Sequence, residues 1–190
     1  LGHMFSRLAL PAHRGNRKYQ EDHDPSHANI VAGTTMQQPE PRQPEAWMRG
    51  PIDTLHPVAA HIIYTFTQAR EELAHWTADL DSLLWTAPHP ALAPLGFQLR
   101  HIAGSTDRLT TYLENGTLSA EQLAFLKSEQ SPGGTLPELL ADLDRQFQRA
   151  ESAARAVAPS DYESPRYIGR KRLTTTAAGL IIHISEHTQR

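Results

Sequence analysis

The sequence predicts an all-α protein, an up-down bundle of four long helices with one short extra helix. Three observations predict it. Apolar residues recur at spacings of three and four through four long stretches after residue 50. Breaks rich in proline and glycine separate those stretches. Nowhere does a convincing apolar–polar alternation suggest a strand, and no internal repeat is visible.

The first helix opens at Pro57, whose missing N–H costs nothing in a first turn. Val58, Ile62, Thr65, Phe66, Ala69, Leu73, Trp76 and Leu80 then form one apolar stripe. Residues 81–93, with Pro88 and Pro90, read as a connector. A second helix begins near Pro94 and carries Phe97, Leu99, Ile102, Leu109, Tyr112 and Leu113 before Asn115-Gly116 stops it. Ser119-Ala-Glu-Gln122 has capping-box form and starts the short helix of Leu123 and Leu126. Ser131-Pro-Gly-Gly134 breaks the chain again. Thr135-Leu-Pro-Glu138 is a second capping box, leading into Leu136, Leu140, Leu143, Phe147, Ala150, Ala154 and Val157 and ending at Pro159. Residues 160–172 read as a polar loop, and a last helix runs from about Thr174 to the end.

Residues 1–50 carry no lasting periodicity and are rich in Pro, Gln, Arg, His and Asn. Such a stretch buries too little apolar surface to offset its ordering entropy, so it is expected to be a poorly structured tail. Within it, Leu1-Gly-His-Met4 reads as vector-derived, Met36 as a candidate natural start, and the histidines at 3, 13, 23 and 27 as solvated. Residues 51–190 are the expected domain.

Composition narrows the chemistry. The formal net charge of -3 argues against a nucleic-acid binder, which usually carries a basic face. With no cysteine, disulfides, thiolate metal sites and protein thiol nucleophiles are excluded, so any metal must sit on His, Asp or Glu. No apolar run approaches the roughly 20 residues of a membrane span, and no signal-peptide core is seen. A soluble, cytoplasmic protein is the expectation.

Eleven histidines make position the question. On the last helix Leu173, Ala177, Leu180 and Ile184 form an inward stripe. His187 lies within about 40° of its centre and His183 roughly 80° off. Imidazoles four apart stack on one helix face and can share one metal, although a pair without an intervening catalytic Glu is a weak signal. His101, on the second helix, borders the apolar stripe on the side shared with Phe97, Ser105 and Arg108. If the second and last helices are neighbours, His101 and His187 converge. A single histidine beside an apolar face is more often structural than a ligand, so spacing alone leaves the two readings open. His61 lies off its stripe, His56 reads as a helix-entry residue, and His75 and His89 as surface or loop residues. Glu186 points about 100° from His187, onto a solvated face. Arg166, Arg170, Lys171 and Arg172 form a basic run that is either solvated or in contact with an anionic cosubstrate. Arg108 is the better anion candidate near a metal and also has an ion-pair reading.

The segments Leu83-Leu-Trp85-Thr-Ala-Pro88 and Phe97-Gln-Leu-Arg-His101-Ile-Ala-Gly-Ser-Thr-Asp-Arg108 resemble the entry to the second helix of DinB/YfiT-like proteins. There a Trp and a Pro precede the first metal histidine. Thr174-Thr-Thr-Ala-Ala-Gly-Leu-Ile-Ile-His-Ile-Ser-Glu-His187 is similar to the family's final helix, where two histidines four apart complete a triad. The likeness covers roughly residues 50–190. It implies His101 and His187 as ligands. The second member of the last pair falls either at position 191, one residue past Arg190, or, in the other register, is supplied by His183. If the molecule ends at Arg190, the first register implies an incomplete triad.

The resemblance further implies a divalent ion, zinc or nickel, with an open coordination position. The expected activity is that of a thiol S-transferase or a hydrolase, in which the metal activates a thiol or water toward a small-molecule electrophile. A low-molecular-weight thiol is the expected cosubstrate, and a homodimer is expected from the family's habit. The competing expectation is a non-catalytic stress-response or binding protein with a structural or vestigial metal.

Overall fold

The computed structural model describes residues 43–189. The readings made for residues 1–42, including their four histidines and the vector-derived start, lie outside the described residues.

Helix α1 spans Pro57–Trp76. His56 caps it, its Nδ1 accepting the Val58 N–H at 3.3 Å. The helix ends one turn before the expected Leu80, because Thr77 closes it onto the Leu73 carbonyl and Asp79 turns left-handed at φ 64°. A 3₁₀ turn over Ala46–Arg49 already packs on α1, so order begins before residue 51. The Ala46 N–H donates to Gln68, and the Arg49 guanidinium grips Glu71 with bonds of 2.5 and 2.6 Å.

Helix α2 spans Leu95–Leu113 and stops where Asn115 takes φ 61° and the Gly116 N–H returns to the Thr111 carbonyl at 2.7 Å. Left-handed closure of this kind satisfies carbonyls that the helix end leaves orphaned. Helix α3 (Ala120–Ser128) and helix α4 (Leu136–Ala156) both start on the capping boxes read from the sequence.

The stretch after α4 differs from expectation. Residues 160–172 are not simply a loop: β1 (Pro165–Ile168) and β2 (Leu173–Thr176) form an antiparallel hairpin in which Pro165 pairs with Thr176 and Ile168 with Leu173. The last helix, α5, starts at Ala177 rather than Thr174. Three consecutive β-branched threonines suit a strand better than a helix. The last of them, Thr176, caps α5 by accepting the Gly179 N–H at 3.0 Å. Leu173, assigned to the inward stripe of α5, is instead exposed on β2, whereas Ala177, Leu180 and Ile184 are buried and Ile181 joins them.

The all-α bundle holds, but its helices do not simply alternate. The start of α4 lies beside the start of α2: the Leu136 N–H donates to Asp81, and the Trp85 indole to the Gly134 carbonyl. Further along both helices, Arg149 binds Asp107, Thr111 and Glu114. Helices α2 and α4 therefore run parallel, with α3 carrying the chain back between them. Each of α2 and α4 packs against a helix of opposite direction, α5 and α1 respectively. At the centre Phe66 and Phe147 stack with ring centroids 4.0 Å apart, enclosed by Ile62, Leu99, Leu143 and Leu180. None of the described helices is long and apolar enough to cross a membrane.

Candidate functional site

The antiparallel pairing of α2 with α5 brings the first half of α2 against the last turns of α5. His101 and His187 meet there, with ring centroids 5.8 Å apart. His183 lies one turn back on α5, its ring edge-on to His187 at 4.7 Å. Phe97, one turn before His101, stacks on its imidazole at 5.6 Å.

The far side of His101 is held by a residue the sequence reading did not single out. Glu129, the residue closing α3, is buried, with its Oε2 3.1 Å from His101 Nδ1. Its Oε1 accepts from Arg108 at 2.5 Å, and Arg108 also reaches the Ser105 hydroxyl. The ion-pair reading of Arg108 is the one the structure shows. An ionised carboxylate can only accept, so His101 carries its proton on Nδ1 and presents the Nε2 lone pair on the other side. A carboxylate behind an imidazole in this way fixes ring orientation and tautomer.

His183 has a looser counterpart. Its Nδ1 lies 3.2 Å from Glu186 Oε2, with both side chains largely in water. Glu186 is exposed, as expected, and its contact is this histidine.

Two imidazoles sharing one tetrahedral ion at Zn–N of about 2.0–2.1 Å have ring centroids about 5 Å apart. The His101–His187 and His183–His187 centroid separations fall on either side of this value. A third ligand does not join either pair: among the described residues, no group of three or more His, Asp or Glu side chains is placed to hold a metal ion.

The remaining histidines stand apart from this arrangement. His56 caps α1 and stacks on Tyr162, His61 is exposed on α1, His75 sits against Trp76, and the His89 ring accepts the Ala91 N–H. Of the basic run, Arg166 is not solvated: it is buried and donates to the Leu113 carbonyl at 2.7 Å. Arg170, Lys171 and Arg172 are exposed on the hairpin, at the opposite end of the bundle from His101. Tyr112 and His101 are eleven residues apart on α2, or about 16 Å along its axis.

Glu129 carried no signal in the sequence. It stands 28 residues from His101, at the end of a short helix with no marked apolar face. Its partner on α2 is set by how α3 folds back.

No curated protein and no solved structure gives a significant match to this chain. The family model of the DinB superfamily matches residues 65–190, which takes in most of α1 and every later element. That span includes His101, Glu129, His183 and His187, and the chain belongs to the DinB superfamily.

Proposed function

We propose that this protein is a divalent-metal-dependent enzyme of the thiol S-transferase or hydrolase kind, with His101 and His187 as its principal ligands. The observation that carries the reading is the convergence of these two imidazoles from different helices, one of them backed by a buried carboxylate. In this reading His183, one turn before His187 on α5, turns from Glu186 to supply the third donor. Zinc or nickel suits imidazole donors, and such an ion when bound lowers the pKa of a water or thiol held on it.

The chain's own residues do the rest. Glu129 keeps the His101 proton on Nδ1, and Arg108 holds Glu129 in place. Phe97 shields one face of His101 from water and limits its rotation. The proposal includes a low-molecular-weight thiol as cosubstrate, a cytoplasmic setting and a homodimer.

The absence of a three-donor group among the described residues favours one other reading, a non-catalytic binding protein with a vestigial site. The two are separated by loading untagged protein with zinc or nickel. Thioether formation from a small thiol and 1-chloro-2,4-dinitrobenzene is then followed beside hydrolysis of p-nitrophenyl acetate. Metal-dependent turnover in either assay that His187→Ala abolishes supports the enzyme. A metal-loaded protein with no turnover above the free ion in these or a wider electrophile panel supports the binding protein.

A further inference from the structure

We propose that the hairpin end of the bundle holds a second site, independent of the histidines, that binds a small aromatic anion. A cavity of about 570 Å³ opens there between the end of α2, the start of α3 and the β1–β2 turn. Tyr112, Leu118, Leu123 and Tyr167 line it with apolar and aromatic surface, and Arg170 and Arg172 stand at its edge.

Charge decides the ligand class. No carboxylate lines the cavity, and among the described residues neither Arg170 nor Arg172 has an acidic partner. Elsewhere in the described chain, Arg49, Arg70, Arg108, Arg145 and Arg149 are paired with carboxylates, Arg100 and Arg166 donate to carbonyl oxygens, and Arg155 is exposed. Two uncompensated guanidiniums beside an apolar hollow are suited to a carboxylate or phosphate carried on a ring. Arg172 is not free to wander: its guanidinium lies over the Tyr167 ring at 4.2 Å. Its backbone takes φ 50°, a conformation that disfavours a side chain yet is occupied here by arginine. The cavity volume is that of a small-molecule site. A ring of the ligand rests on Leu118 and Leu123 between the two tyrosines, and its anionic group faces the turn.

Phenyl phosphate is the probe, with inorganic phosphate and phenol as its two halves, titrated calorimetrically at low and high salt. The expected result is that phenyl phosphate binds at least about tenfold more tightly than either half and weakens with salt. The double variant Arg170→Gln/Arg172→Gln loses about tenfold in affinity and keeps its thermal midpoint, both side chains being exposed. Tyr112→Ala weakens phenyl phosphate and leaves inorganic phosphate unchanged. His101→Ala leaves all three affinities unchanged, which separates this site from the histidine site. Inorganic phosphate binding as tightly as phenyl phosphate, or a double variant that binds like the parent, overturns the proposal.

Discussion

His101 Nδ1 and Glu129 Oε2 lie 3.1 Å apart, joining the first half of α2 to the end of the short crossover helix α3. The carboxylate is buried and bridges His101 to Arg108, so α3 is tied to the candidate site through one residue. Replacing Glu129 by Gln keeps an acceptor for His101 but removes the charge that holds the tautomer. Metal affinity, measured by competition with a chromogenic chelator, is expected to fall about 10–100-fold. Glu129→Ala leaves the Arg108 guanidinium without its partner at 11 % side-chain exposure, and urea unfolding should report a loss of about 3 kcal/mol.

Gly104 is the small residue that lets this network form. A Cβ there would lie 2.6 Å from Glu129 Oε1, 2.7 Å from Phe125 and 2.8 Å from Arg108 Nη1. In an exposed helix interior Gly→Ala is ordinarily stabilising, by about 1 kcal/mol. Here overpacking wins, and Gly104→Ala is expected to destabilise by about 1–3 kcal/mol in thermal or urea unfolding.

Acid should loosen the start of α4. The Thr135 N–H and hydroxyl both donate to Glu138, and these bonds hold its carboxyl below the ordinary value of 4.5. Glu71 is held down likewise, by its bond to Arg49. A depressed carboxylate contributes stability that is present above its unfolded pKa and lost as the pH falls through the folded one. The thermal midpoint of the parent should therefore drop between about pH 6 and about pH 3 by more than that of Glu138→Gln, which keeps a neutral capping partner.

Arg166 ties the hairpin to the bundle. Its buried guanidinium satisfies the last carbonyl of α2, that of Leu113, and the Pro165 carbonyl at 3.1 Å. Arg166→Met keeps the stem's packing and removes those donors. A loss of about 2 kcal/mol is expected, with hydrogen exchange of β1 and β2 rising more than that of α1.

Local chemistry made most of the fold legible. Capping boxes at Ser119 and Thr135, Pro57 at a first turn and the Asn115-Gly116 stop are all written within a few residues, and each sits where it was read. The inward face of α5 was legible for the same reason, since periodicity places Leu180 and Ile184 together. What escaped depends on distant partners. Four-residue strands around a Gly-Arg-Lys-Arg turn give too short a pattern to detect. Arg166 looks like a member of a basic run until the orphaned end of α2 is placed beside it. The parallel course of α2 and α4 follows from how α3 crosses over, which no periodicity encodes. At the candidate site, the meeting of His101 and His187 needed only neighbouring helices, whereas Glu129 needed the crossover itself.

Bound metal in the untagged protein, counted by elemental analysis beside His101→Ala and His187→Ala, tests the central claim most directly. Near one zinc or nickel per chain in the parent, lost in both variants while their far-ultraviolet dichroism is retained, is the predicted result. A parent that stays metal-free after loading, or variants that retain the ion, would contradict it.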